Sequence, residues 1–245
     1  MCLEIKNGAL FVSDAHENDK RDGFYRFLLK IKSKEIEPSQ LFLMGDIFDL
    51  LVGEVRYTRE KNRNCIELLG EIAEELEVFY FEGNHDFSLK KVFKDCKVIP
   101  IDEQPMVFSI ADKKILLSHG DRYGGVVHTL FTKIIRNRVL LKILNGFDLL
   151  CGSCISKKIV AGLSKKNICS EIENFQKIIE DKIHQNINQD IDIIAEGHYH
   201  QGLSFDYKKY KYINFSSFAC NQSYFIVQLC PEIKFKEIKL RGYDV

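Results

Sequence analysis

The chain has 245 residues, of which 45% are apolar and 29% charged, and its 35 basic residues match 35 acidic ones. This suits one large domain spanning 1–245, with room for an inserted subdomain and enough apolar content for a sizeable core. The neutral balance excludes reading partners from global charge. The start, Met1-Cys2-Leu3-Glu4-Ile5-Lys6-Asn7, lacks the basic and apolar regions of a secretory signal. No uninterrupted apolar stretch approaches the roughly 18–20 residues that span a bilayer. The expectation is a soluble cytoplasmic protein, with peripheral membrane attachment still open. The eight cysteines are then expected to stay reduced. Cys151-Gly152-Ser153-Cys154 is a C-x-x-C without a second pair, and reads as local packing.

In chain order, short apolar runs lead into polar motifs. Ala9–Ser13 runs into Asp14-Ala15-His16, and Leu41–Gly45 into Asp46-Ile47-Phe48-Asp49. Val78–Phe81 leads to Gly83-Asn84-His85-Asp86, Lys114–Ser118 to His119-Gly120-Asp121, and Ile191–Ala195 toward Gly197-His198-Tyr199-His200. The runs have strand length and composition. Between the first three, Phe24, Phe27, Leu28 and Ile31, then Ile66, Leu69, Ile72, Ala73 and Leu76, repeat at helical spacing. Strands alternating with helices predict an α/β fold. Ligands in open α/β sheets gather beyond the carboxyl ends of strands, where all five motifs fall.

Residues 122–168 differ. Nine lysines and arginines face one acid, Asp148, a net of +8. Val126 to Leu144 is helix-like and apolar on most sides, broken by Arg136, Arg138 and Lys142. Such basic, aliphatic surface suits anionic lipid or an acyl-bearing anionic substrate; a solvated helical insertion is the simpler reading. A helix is predicted from about Ser170 to Gln189. Tyr212–Phe218, Tyr224–Leu229 and Ile233–Ile238 read as strands on short links, which predicts antiparallel neighbours and a second sheet.

The motifs supply donors for two divalent metals, which about 3.5–4 Å apart can clamp the attacking and leaving oxygens of a phosphoryl displacement. Asp46 is the natural bridge between them. Asp14 with His16, and His198 with His200, can each turn onto one ion. Asn84 offers a neutral oxygen and His119 an imidazole.

This series of motifs resembles the calcineurin-like metallophosphoesterase superfamily over roughly Leu10 to Phe218. The resemblance implies a four-layer α/β/β/α sandwich and a binuclear centre. It implies that Asp14, His16, Asp46 and His200 hold one metal, and Asp46, Asn84, His119 and His198 the other. Asp49 would stand behind and orient a histidine ligand, and Asp86 would order the Asn84-His85 turn. His85 would sit near the leaving oxygen, as proton donor or stabiliser of the transition state. His128 and His184 carry no motif and read as structural or solvent-facing.

Chain length, the phrase Leu43–Gly53 and the insertion after His119-Gly120-Asp121 are most similar to the UDP-2,3-diacylglucosamine pyrophosphohydrolases of lipid A synthesis. That branch implies a peripheral enzyme of the bacterial inner membrane and a helical lid over the acyl chains, here 122–168. It implies manganese as the usual metal, and attack of a metal-bridging hydroxide to give UMP and 2,3-diacylglucosamine 1-phosphate. Arg122, Arg136, Arg138, Lys142, Lys157 and Lys158 would contact substrate phosphate or membrane. Two positions depart from the best-known members: His85 stands where they carry arginine, and Arg122-Tyr123-Gly124-Gly125 replaces a Cys-Thr-Asp-Asp-like stretch. The alternative is a phosphodiesterase acting on nucleotides or nucleic acid, favoured by the basic segment. Its many aliphatics and few aromatics count against that, because aromatic rings are what stack on bases. A non-catalytic scaffold would be expected to lack some of these ligands.

Overall fold

The structure is a computed structural model that describes residues 3–121, 134–187 and 190–240. In chain order the elements are β1 (Leu3–Glu4), β2 (Leu10–Val12), α1 (Gly23–Lys32), β3 (Leu41–Leu43), β4 (Leu51–Val52), α2 (Arg56–Lys61) and α3 (Arg63–Glu75). Then come β5 (Val78–Phe81), β6 (Asp86–Phe87), β7 (Lys97–Ile99), β8 (Met106–Ile110), β9 (Lys113–Ser118), α4 (Arg138–Leu150), α5 (Cys154–Leu163) and α6 (Phe175–Asn186). The chain continues through β10 (Ile193–Glu196), β11 (Ser204–Tyr207), β12 (Tyr210–Asn214), α7 (Phe218–Asn221), β13 (Ser223–Gln228) and β14 (Lys234–Lys239).

Two six-stranded mixed sheets form, in the orders β14-β13-β2-β3-β5-β7 and β1-β8-β9-β10-β12-β11, with a small β4-β6 pair beside them. Alternation along each strand sorts its side chains into layers. Leu10, Val12, Leu41, Leu43, Val78 and Tyr80 face α1 and α3. Phe11, Phe42, Phe79, Phe108, Ile115, Leu117, Ile193 and Ala195 fill the space between the sheets. Leu116, Ile194 and Tyr212 face the α6 residues Phe175, Ile179 and Ile183. The result is the four-layer α/β/β/α sandwich.

The inter-sheet layer sets the strand register. Phe11 pairs with Phe42 and Phe42 with Phe79 across the parallel strands. Their rings stack with centroids 4.4 and 4.6 Å apart, and Phe108 meets Phe42 and Phe79 edge-on. Each buried ring contributes roughly 1.5–3 kcal/mol, and each ring pair about 0.5–1.5 kcal/mol more. Sliding one strand by a residue would turn its ring into the helix layer and shift the strand end by about 3.3 Å. That shift exceeds any metal–ligand bond, so the phenylalanine ladder is what keeps Asp14, Asp46 and Asn84 level.

In the carboxy-terminal third the expected antiparallel neighbours hold for β13, which pairs with both β14 and β2, whereas β12 runs parallel to β10, so these strands extend both sheets. Phe218 opens α7 rather than closing a strand. The helix expected over Val126–Leu144 falls partly outside the described residues, and α4 runs on to Leu150. Its start is fixed by Asn137, whose side chain accepts from the Val139 and Leu140 amides at 3.0 and 3.1 Å. The helix expected to reach Gln189 ends at Asn186, and Gln189 lies outside the described residues.

Buried Glu17 receives the first amides of α1, from Phe24 at 2.9 Å and Tyr25 at 3.4 Å. Burial pushes its carboxyl up from 4.5 to about 8, against the pull of those two donors. A raised acid contributes stability that is complete below its unfolded value and lost as pH rises through its folded value. Glu17→Gln should therefore lose stability relative to the parent at low pH and regain it as pH rises from about 5 to about 9. Parallel thermal melts across that range would show a constant difference if Glu17 did not titrate in this window.

Candidate active site

The five motif loops leave the carboxyl ends of β2, β3, β5, β9 and β10 and converge. Asp14, His16 and His200 form one cluster, and Asp46, His119 and His198 a second. In each, one donor atom per residue lies within 4.8 Å of the others. Asn84 Oδ1 joins the second cluster, 3.4 Å from His119 Nε2. Asp14, His16, Asp46, His198 and His200 all adopt left-handed backbone, with φ between 44° and 65°. Such conformations cost roughly 1–3 kcal/mol each and persist only where the surroundings impose them. Here the loops brace one another: the Asp14 amide donates to the Gly45 carbonyl, the His16 amide to the Asp46 carbonyl, and the His198 amide to Asp14 Oδ2, at 3.0–3.1 Å.

Two glycines are required by close approach. A Cβ on Gly45, which has φ +89°, would lie 2.5 Å from His119 Nδ1, and one on Gly83 would lie 2.2 Å from Asp46 Oδ1. Backbone carbonyls orient three imidazoles. Nδ1 of His119 lies 2.9 Å from the Met44 carbonyl, Nδ1 of His200 lies 2.5 Å from that of Ile168, and Nδ1 of His85 lies 2.7 Å from that of Asp49. A carbonyl only accepts, so Nδ1 carries the proton and Nε2 is left for the site. His119 Nε2 then stands 3.4 Å from Asp46 Oδ2, and His200 Nε2 3.1 Å from Asp14 Oδ1.

The electrostatics follow from burial against charge. Burial opposes ionising Asp14 and Asp46, but His200 beside the first and His119 beside the second outweigh it and hold both carboxyls low. Burial likewise opposes charge on His119 and His200, and the same carboxylates raise both. Burial wins at His16 and His198, which drop to about 4 and stay neutral, as ligands must. Both ring nitrogens of His16 are buried without a hydrogen-bond partner. A buried histidine in that state is rare unless something else binds it. Carboxylate, imidazole and amide oxygen, without thiolate, suit a hard or borderline divalent ion. The residues fit two such ions.

The chain matches the family described as calcineurin-like phosphoesterase over residues 9–202. It belongs to that family. Among curated relatives, UDP-2,3-diacylglucosamine hydrolase of Coxiella burnetii is 24% identical over 200 residues, covering 78% of this chain and 80% of that one. The Blochmanniella pennsylvanica protein of the same name is 26% identical over 206 residues, covering 78% of each chain. Among solved structures, an archaeal phosphodiesterase aligns with TM-score 0.46 and 13% identity, over 95% of this chain and 99% of that one.

The remaining residues divide around this phosphoesterase centre. Buried Asp86 orders its own turn by accepting from the Gly83 amide at 2.8 Å. It also accepts from the Asp46 and Ile47 amides and the Tyr80 hydroxyl, at 2.7–3.0 Å. Burial, with Asp46 close by, pushes Asp86 up to about 7. The Asp49 carboxylate stands 3.6 Å from His16 Nδ1, but its hydrogen bonds go to Asn18 and Arg21, at 2.5 and 2.7 Å. Its backbone carbonyl, rather than its side chain, orients a histidine, namely His85. His184 is exposed and meets Lys208 at 3.2 Å, while His128 lies outside the described residues.

A cavity of about 590 Å³ opens at Asn84, His85 and His198 and runs between α4, α5 and the β4-β6 pair. Its walls include Val52, Val55, Phe87, Leu141, Leu144, Ile159 and Leu163. Of the predicted substrate contacts, Arg122 lies outside the described residues. Arg136 donates to the Gly83 carbonyl at 2.8 Å, pairs with Asp121 at 3.2 Å and lies over the Phe87 ring, so it ties two motif loops together. Arg138, Lys142, Lys157 and Lys158 are exposed and off the cavity wall, with Arg138 4.0 Å from Glu54 and Lys157 bonded to the Gly152 carbonyl. Of the two roles expected, contact with substrate phosphate or with a membrane, their outward position suits the second. Lys166 is instead the lysine on the wall.

Two features escaped the sequence reading. The cysteines are not all reduced: Cys151–Cys154 and Cys169–Cys220 are disulfides, their Cα atoms 5.5 and 5.8 Å apart. Folding brings the second pair together across 51 positions, which spacing does not reveal. Buried Lys182 meets Glu196 at 2.8 Å, the Gly120 carbonyl at 3.1 Å and the Tyr199 hydroxyl at 3.2 Å, while Glu196 also accepts from Ser118. This network ties the β9 and β10 loops from behind. Its one signal was a lysine set among Ile178, Ile179 and Ile183 on an otherwise apolar helix face.

Removing one partner of a buried pair strands the other's charge. Lys182→Met should cost about 3–5 kcal/mol, and Lys182→Met with Glu196→Gln much less. Equal losses in urea melts would show that the pair is not coupled. Because His119 and His200 are raised, metal loading must displace their protons. Apparent affinity for a divalent ion should fall as pH drops, with proton release on binding. Calorimetry in buffers of different ionisation enthalpy measures that release; a pH-independent affinity would contradict it.

Proposed function

We propose that this phosphoesterase hydrolyses the pyrophosphate of UDP-2,3-diacylglucosamine to UMP and 2,3-diacylglucosamine 1-phosphate. The observation that carries this reading is the apolar cavity opening at Asn84, His85 and His198. A substrate with its phosphates at those residues places its acyl chains along Leu141, Leu144, Ile159 and Leu163. The names of the curated relatives point to the same substrate. Among the described residues, a nucleic acid would find little aromatic stacking surface on this wall, where Phe87 is the single aromatic ring beyond the histidines.

Asp14, His16, Asp46 and His200 would hold one ion, and Asp46, Asn84, His119 and His198 the other, with manganese consistent with the donor set. When bound, two such ions neutralise phosphoryl oxygens and make water acidic enough to serve as nucleophile. The chain's own residues do the rest. The Asp49 carbonyl holds His85 so that Nε2 is the ring nitrogen available to a substrate oxygen. Asp86 fixes the Asp46 and Gly83 amides, so the ligand loops need not reorganise when charge develops. The described part of the expected lid, α4 and α5, would shield the reacting phosphate from water with its apolar cavity side.

The outer side of that segment suits a membrane surface. Val139, Ile143, Phe147 and Leu150 are exposed beside Arg138, Lys142, Lys157 and Lys158. Among the described residues no single helix is long and apolar enough to cross a membrane, although α4 and α5, bent by 104°, pass that test together. This basic and apolar surface supports peripheral attachment to anionic lipid, which for the proposed lipid substrate would be at the cytoplasmic face of the inner membrane.

With Mn²⁺ in detergent, the protein should release UMP from UDP-2,3-diacylglucosamine. Each buried methylene contributes about 0.8 kcal/mol, so kcat/KM should exceed that of the deacylated analogue by at least about 100-fold. Asp46→Ala should abolish turnover, and Leu144→Asp should raise KM without loss of bound metal. Comparable rates on a soluble nucleotide diester would sink the lipid assignment.

A further inference from the structure

The Cys169–Cys220 disulfide joins the irregular strap after α5 to the short helix α7. Each half of the bridge sits one residue from a backbone group that holds a metal-type ligand. On one side, the Ile168 carbonyl accepts from His200 Nδ1 at 2.5 Å. On the other, the Ala219 amide donates to the Asp14 carbonyl at 3.1 Å, reinforced by the Ser217 hydroxyl at 2.8 Å. Asp14 Oδ1 and His200 Nε2 then meet at 3.1 Å. The contacts close a ring that runs from the bridge through Ile168, His200, Asp14 and Ala219 back to the bridge. Among the described residues, neither cysteine adjoins a group that bonds to Asp46, His119 or His198, although the His198 amide does donate to Asp14 Oδ2 at 3.0 Å. Cys169 is exposed and Cys220 half-buried, so a reductant can reach the bridge from the strap side.

We infer that Cys169 and Cys220 are a redox-sensitive positioning pair for His200, and that opening the bridge weakens the hold on the ion bound by Asp14, His16 and His200. The inference rests on the two-ion reading of the site and is independent of the substrate. In the oxidised chain the strap presents its carbonyl to Nδ1, which fixes the ring and aims Nε2 at the site. A small-molecule or protein dithiol opens the bridge by thiol–disulfide exchange. One thiolate of the dithiol attacks Cys169 Sγ, forming a mixed disulfide and releasing Cys220 as thiolate. The second thiol of the reductant then displaces Cys169. The protein gains two electrons and two protons, and the dithiol becomes its own disulfide. Among the described residues the strap is then held to the site loop by its bonds with Gln201, through the Ile172 amide and the Ser170 carbonyl, and by the single Ile168–His200 bond. A disulfide oxidant reverses the exchange.

A purely structural bridge would lower the melting temperature and loosen both ion sites together. The test is therefore a Co²⁺ titration followed by visible absorption, which reads each site without substrate. It uses full-length protein carrying Cys151→Ser and Cys154→Ser, so that the remaining bridge alone responds. Partners behind a metal-bound histidine typically change affinity about 10–100-fold, so dithiol treatment should weaken one of two Co²⁺ sites by at least about 10-fold. The other site should hold its affinity, and reoxidation should restore the first. Cys220→Ser on the same background should show the weakened site at once and ignore the dithiol. If that variant does not fold, the reduction and reoxidation of the parent decide alone. Unchanged affinities, or an equal shift at both sites, would overturn the inference. Failure to bind Co²⁺ in either redox state would overturn it together with the two-ion reading, while leaving a metal-free hydrolysis assay to judge the substrate separately.

Discussion

Asp46 is the point on which the rest of the site depends. Its carboxylate is buried at the tip of a central strand, with Asp14, a second buried carboxylate, in the neighbouring loop. Two such anions cannot share a low-dielectric interior without positive charge between and around them. The four surrounding histidines, the amides braced by Asp86, and the glycines that let loops pass within touching distance all serve that requirement. The centre attracts divalent cations because its own folding has gathered more negative charge than protons alone neutralise well.

The layered frame makes that gathering possible. Phenylalanines from three parallel strands stack in register, and a fourth ring from the opposite sheet meets them edge-on. The ladder fixes one sheet's strand ends, and the Lys182–Glu196 network fixes the other's. The ligand loops therefore meet across two sheets whose strand ends are each held by packing or ion pairing away from the site. Beside the centre, α4 and α5 keep aliphatic side chains on the cavity and cationic ones outside, which matches an amphiphile held head-first.

Much of this was legible in the sequence, for a physical reason. Asp14, Asp46, Asn84, His119, His198 and His200 each follow an apolar run, and strand-end chemistry leaves a local trace. The alternation within Leu10–Val12 or Val78–Phe81 likewise reports two buried faces. What was not legible depended on distant partners. Nothing local to Ile168 signals that its carbonyl meets His200, and nothing near Cys169 points to Cys220. The basic residues of the insertion could not be sorted by charge count, which carries no direction: Arg136 turns inward onto Gly83 and Asp121, while Lys142 and Lys158 turn outward. Asp49 stands behind His16 with its carboxylate and also meets His85 with its main-chain oxygen, a group every residue has and no sequence pattern marks.

The left-handed backbone at Asp14, His16, Asp46, His198 and His200 has an evolutionary consequence. At such positions aspartate and histidine are poorer choices for the backbone than glycine or asparagine. A lineage that no longer needs the chemistry would therefore be released from a steric burden when it drops these side chains. Drift would erode the ligands ahead of the phenylalanine ladder, leaving folded descendants that bind or scaffold without catalysing.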